Sequence, residues 1–144
     1  MRITDILRGK GSDVVTVEPD ADVRRLLAVL AEHRIGAVIV SSDGTAVEGI
    51  ASERDVVRAI AERGATVLSE PVSAICTTQV HTVAPDAQTE ELMRIMTEKR
   101  IRHVPVVADG ALRGIVSIGD VVKHRIDELE GERSALSDYI STAG

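Results

Sequence analysis

The stretches Gly49-Ile50-Ala51-Ser52-Glu53-Arg54-Asp55-Val56-Val57 and Gly114-Ile115-Val116-Ser117-Ile118-Gly119-Asp120-Val121-Val122 agree at six of nine positions, 65 residues apart. Working outward from them, Val14–Thr45 lies over Val80–Ala111 at an offset of 66, with 14 of 32 positions identical. Thr16/Thr82, Val17/Val83, Pro19/Pro85, Asp20/Asp86, Arg34/Arg100 and Asp43-Gly44/Asp109-Gly110 are among the matches. A consistent register over this length marks an internal duplication. Neither copy is large enough to bury its faces alone, so the two are expected to pack on each other about a pseudo-twofold axis. Such packing leaves paired clefts between the copies, and clefts between units are natural ligand sites.

Local patterns repeat with the copies. A short strand over Val14–Val17, and again over Val80–Val83, is stopped by Pro19 or Pro85, and Asp20 or Asp86 stands as the expected helix N-cap. Val23, Leu26, Leu27 and Leu30 in the first copy, and Leu92, Met93 and Met96 in the second, give one apolar helical face. Strands are expected over Ala37–Val40, Val47–Ala51, Val104–Val107 and Leu112–Val116, with an Asp-Gly hairpin signal between the members of each pair. A second helix starts near Ser52 or Ser117. The leading segments Thr4-Asp5-Ile6-Leu7 and Ser73-Ala74-Ile75-Cys76 resemble each other and read as helical turns.

A tandem β-α-β-β-α unit carries Gly-Ile-x-Ser-x-x-Asp-Val and Thr-Val-x-Pro-Asp in both copies, and Arg102-His103-Val104-Pro105-Val106 in the second. It resembles the CBS domain, whose tandem pair is called a Bateman module. The likeness covers about Ile3 to Lys123. It implies an α/β fold of two pseudo-twofold-related CBS repeats packed sheet to sheet, over residues 1–66 and 67–125, with a C-terminal helical extension over 126–144. It also implies an adenine-nucleotide ligand and a homodimer.

Ser52 and Ser117 begin helices, where free N–H groups and the positive dipole end attract anions. Asp55 and Asp120 lie one turn on, and a carboxylate there accepts from both ribose hydroxyls. In the resembled family this motif contacts the phosphate and ribose of adenine nucleotides. Ser-x-x-Asp is also a helix capping box. Finding it twice at equivalent places in the duplicated frame favours the ligand reading, and the two roles are compatible.

By resemblance, the adenine lies between aliphatic walls from Thr16, Val17, Ala37, Val38 and Ile39 in one copy and Thr82, Val83, His103, Val104 and Pro105 in the other. Inward-facing side chains among these are core, which leaves backbone groups to read the base. The copies differ in charge: Arg102 and His103 replace Gly36 and Ala37, and Arg54 stands where the second copy has Gly119. Arginine suits bidentate phosphate contacts and histidine offers a titratable one. The two sites are therefore expected to differ. AMP is the leading ligand, with ADP, ATP, NAD(H) and S-adenosylmethionine as further adenosyl candidates.

Composition removes other classes. One Tyr, no Phe and no Trp, with a net charge of −6, leave neither stacking platforms nor a basic face for nucleic acid. The longest apolar run, Leu26 to Ala31, is too short to span a bilayer. The N-terminus shows no signal-peptide core and there is one cysteine, so a reducing cytoplasmic setting is expected. The four histidines are scattered without metal-site spacing. No nucleophile elbow or Walker loop occurs, so neither a metal site nor an enzyme is expected. Val122, Ile126, Leu129, Leu136 and Ile140 form a short heptad seam interrupted by Gly131, which packs on its own module or extends a dimer interface. The two functions left are a free-standing nucleotide sensor acting on an unidentified partner and a constitutive dimerisation scaffold whose motifs merely cap helices.

Overall fold

Val23, Leu26, Val29 and Leu30 fall at spacings of three and four and form the buried face of one helix, as the period of 3.6 residues requires. The computed structural model describes residues 1–11 and 14–143. In chain order the elements are α1 (Ile3–Lys10), β1 (Thr16–Val17), α2 (Val23–His33), β2 (Ala37–Val40), β3 (Gly49–Ser52) and α3 (Glu53–Arg63). Two 3₁₀ turns follow, Ala65–Ser69 and Val72–Ala74, then α4 (Thr89–Lys99), β4 (His103–Ala108), β5 (Ala111–Ser117) and α5 (Ile118–Ala143). In the first repeat β1 pairs parallel with β2, and β2 antiparallel with β3. In the second, β4 pairs antiparallel with β5. The expected strand at Val80–Val83 is absent and reduces to one parallel bridge, Val83 to Val106. Thr82 and Ala84 on either side of Val83 are exposed, so only Val83 has core to gain.

The N-caps lie two residues later than the sequence suggests. Asp22, not Asp20, caps α2 and accepts from the Arg25 N–H at 2.8 Å. Gln88, not Asp86, occupies that position before α4, with no side-chain bond to the helix amides. Asp22 is held extended by a bridge to Pro71, which delays the helix start. Gly131 does not break α5, since one exposed glycine costs a helix only about 1 kcal/mol.

Two apolar clusters form, and the leading segments are exchanged between them. The first holds Val17, Val23, Leu26, Val38, Val40 and Val56, together with Val67 and Val72 from the connector. The second holds Leu92, Met96, Val104, Val106, Val116 and Val121, together with Ile3 and Ile6 from α1. Backbone bonds fix each exchange: Ile3 N–H to Ala87 O and Thr4 N–H to Pro85 O, against Val72 N–H to Ala21 O and Ser73 N–H to Pro19 O. The boundary at residue 66 thus follows the sequence duplication, while each core reaches across it. Ile50 and Thr77 trade backbone bonds at 2.9 Å, and the Leu112 N–H reaches Thr45 O at 2.8 Å, tying one repeat to the other.

The seam of the C-terminal extension is not covered. Val122, Ile126, Leu129, Leu136 and Ile140 are each about half exposed or more. Gly144 lies outside the described residues. Among the described residues, no helix is long and apolar enough to cross a membrane.

Candidate functional site

The short β3 strand ends at Ser52, and its hydroxyl begins α3. The Asp55 N–H donates to Ser52 Oγ at 3.3 Å, while Asp55 Oδ2 accepts from Ser52 N–H at 2.9 Å and from Ser52 Oγ at 3.0 Å. This reciprocal capping box holds the carboxylate at the helix mouth. The Glu53 N–H donates to Gly36 O at 3.0 Å, so the first and third amides of α3 are already bonded. An anion placed here has the second amide, of Arg54, and then depends on side-chain charge.

That charge converges from both repeats. A cleft of about 430 Å³ opens at the mouth of α3, within the roughly 300–1,000 Å³ range of small-molecule sites. Ser52, Glu53, Arg54, Asp55 and Arg58 line it from α3 and its cap, Gly36, Ala37 and Ile50 from the first sheet. Thr77, Gln79, Val80 and His81 come from the segment before the second repeat, and Arg100, Ile101, Arg102 and His103 from the entry to β4. Four arginines thus face two carboxylates in a chain whose net charge is −6. None of the four is in an ion pair among the described residues. Such a cleft concentrates positive potential where the rest of the surface repels anions.

Of the residues singled out in the sequence, Ala37, Ser52, Arg54, Asp55, Arg102 and His103 meet in this one cleft. Val38 and Ile39 are buried, with Val38 in the first core, and Val83 and Val104 belong to the second. Thr16 pairs with Ile39 inside the first sheet, Pro105 is buried, and Thr82 is exposed away from the lining. Ser117, Gly119 and Asp120 sit at the start of α5, apart from this cleft. There Asp120 Oδ2 accepts from Ser117 N–H at 2.8 Å and from Lys10 Nζ at 2.6 Å. Burial pushes the Asp120 carboxyl up, but the bonds from Lys10 and Ser117 prevail and hold it below its ordinary range.

Arg58 stands four residues beyond Arg54, so a helical wheel drawn around Arg54 reaches it. Gln79, His81 and Lys10 enter from segments that no local pattern connects to the motifs.

His103 joins the two places. It is the cross-strand partner of Ser117, and a Cβ on Gly36 would stand 3.6 Å from its Cε1. Burial lowers its pKa, with Lys10 and Arg102 adding to the effect and Asp120 and Glu53 opposing it. A lowered folded pKa means the unfolded chain binds more protons below about pH 6.5. His103 therefore contributes stability at neutral pH that is lost as pH falls through that window. A phosphate beside the ring acts in the opposite direction, favouring its protonated form. Titration calorimetry of AMP in buffers of different ionisation enthalpy near pH 6.5 is expected to show proton uptake, diminished in His103→Ala. Equal uptake in both proteins contradicts this.

The family model described as CBS domain matches residues 3–62 and 72–127. This chain belongs to the CBS-domain family. The match falls on the two repeats, so the protein is a CBS pair with a C-terminal helix. It is 34% identical over 146 residues to the mitochondrial CBS domain-containing protein CBSX3 of Arabidopsis thaliana, covering 96% of this chain and 71% of that one. Among solved structures, the CBS-domain containing protein ATU1752 from Agrobacterium tumefaciens superposes with a TM-score of 0.83 at 48% identity. That match covers 87% of this chain and 99% of the other. The CBS domain protein PAE2072 from Pyrobaculum aerophilum, solved in complex with AMP, superposes with a TM-score of 0.74 at 29% identity, covering 83% and 89%.

Proposed function

We propose that this CBS pair is a regulatory module that binds an adenine nucleotide in the cleft at α3 and passes its occupancy to a partner protein by conformational change. The observation that carries this reading is the convergence of Arg54 and Arg58 from one repeat with Arg100 and Arg102 from the other, around Ser52 and Asp55. A ligand spanning those groups touches both repeats and so favours one relative placement of them, the condition for a ligand to shift a conformational equilibrium. The AMP complex of PAE2072 supports the ligand class. Asp55 is assigned to the ribose hydroxyls, the arginines and the Arg54 N–H to phosphate, and the backbone beside Ala37 to the base. No catalytic role is assigned to any of these residues. A homodimer in the cytoplasm is the working unit in this reading, supported by the uncovered apolar seam of α5.

Thermal unfolding with AMP, ADP, ATP, NADH and S-adenosylmethionine at millimolar concentration tests the proposal. A ligand at about 100 times its Kd adds roughly 2.7 kcal/mol, a rise of roughly 5–10 °C for a chain of this size. Light scattering on the same samples checks the dimer. No shift with any of the five removes the sensor reading and leaves the scaffold, in which Ser52 and Asp55 serve only the cap they form.

A further inference from the structure

We infer that Lys10 fills the second Ser-x-x-Asp site from within, so that the chain takes nucleotide at one of two pseudo-equivalent places and a single side chain sets which. This rests on the nucleotide reading above. The equivalence of the two places is visible in their packing. Leu7 of α1 presses on Gly114, its Cδ2 lying 2.7 Å from where a Cβ would stand. In the first repeat Cys76 takes that place against Gly49, with Sγ 3.0 Å from the corresponding point. Leu7 and Cys76 are the matched ends of the two similar leading segments, 69 residues apart. Three residues further on, at the same separation, Lys10 corresponds to Gln79.

The consequence for the two carboxylates is direct. Lys10 Nζ donates to Asp120 Oδ2 at 2.6 Å and to Ile115 O at 2.8 Å, bridging the motif to the strand beside it. Gln79, its counterpart, lines the open cleft and brings no charge to Asp55. A ribose hydroxyl arriving at Asp120 must displace an ammonium from a charge-assisted bond and offers only a neutral donor in exchange. Among the described residues the Asp55 carboxylate is bonded only within its own cap, and no such displacement is needed. Gly119 in place of Arg54 removes one phosphate partner from the same end, so relative to the first site the second has lost a cation on the ligand side and gained one on the carboxylate.

Calorimetric stoichiometry with AMP on the full chain tests this, with Lys10→Gln giving the second carboxylate the same neutral neighbour that Gln79 gives the first. Lys10 and Asp120 form a partly exposed pair, of the kind that contributes little to stability, so the variant is expected to fold. Lys10→Met serves as a second variant, and a thermal melt of each confirms folding. The native chain is expected to bind one AMP. Lys10→Gln is expected to bind two, the second at least tenfold tighter than any second event in the native chain and abolished by adding Asp120→Ala. Two AMP per native chain, or one in both folded Lys10 variants, overturns the inference while leaving the nucleotide reading standing. Absence of binding in native and variant proteins alike removes both.

Discussion

Asp55→Ala is expected to weaken AMP binding about 10- to 150-fold, the equivalent of the roughly 1.5–3 kcal/mol carried by a hydrogen bond to a charged group. The expectation combines two roles. The carboxylate is assigned to the ribose, and it also accepts from the Ser52 N–H and hydroxyl. Loss of the second role shortens or frays the start of α3 at a cost of about 1 kcal/mol. Asp55→Asn separates them, because its side-chain oxygen still accepts from the Ser52 N–H while its charge is gone. Affinity is expected to fall in both variants and the melting temperature mainly in Asp55→Ala. Calorimetric titration alongside thermal unfolding reads both quantities. An unchanged Kd with a lowered melting temperature in Asp55→Ala marks the motif as a cap only.

The second large effect concerns stability. Ile3 is fully buried, in the second core and not the first. Ile3→Ala removes a buried side chain and leaves a cavity, which costs about 2–5 kcal/mol. That is a large part of the roughly 5–15 kcal/mol that holds a domain folded. Ile126→Ala, in the half-exposed stretch of α5, is expected to cost far less. Urea denaturation measures the two costs. Amide exchange locates them: opening of Ile3→Ala is expected first at Val104, Val106 and Val116, ahead of Val38 and Val40. A cost below about 1 kcal/mol, or faster exchange confined to the first sheet, contradicts the exchanged packing of α1.

The duplication made most of the fold legible, because apolar period and turn chemistry are local signals. Asp109 and Gly110 take φ of 52° and 75° between the paired residues Ala108 and Ala111, a tight two-residue turn that the letters Asp-Gly announce. The same letters at Asp43-Gly44 give a longer loop. There Asp43 accepts from the Thr45 and Ala46 N–H groups, bonds that hold its carboxyl down to about 2. The first copy carries an extra residue in this loop, and a tight turn does not survive the insertion. Ser52, Asp55, Arg102 and His103 were readable as site residues because each belongs to a repeated motif or departs from its copy. Lys10, Gln79 and His81 were not, since their places depend on which core each leading segment joins. The likeness of Thr4–Leu7 to Ser73–Cys76 says that both segments pack alike and is silent on where.

The exchange of leading segments also sets an order of events during synthesis. Every buried residue of the first core lies between Val17 and Val72, so it can close as soon as that stretch has left the ribosome. The second core needs Ile3 and Ile6, made before any buried residue of the first core, and Val121, made after all of them. At roughly 5–20 residues per second the N-terminal helix waits several seconds for its seat. Over that interval the newborn chain holds one finished half and one amphipathic helix without a partner. Ile3 and Val121 reach their final packing together.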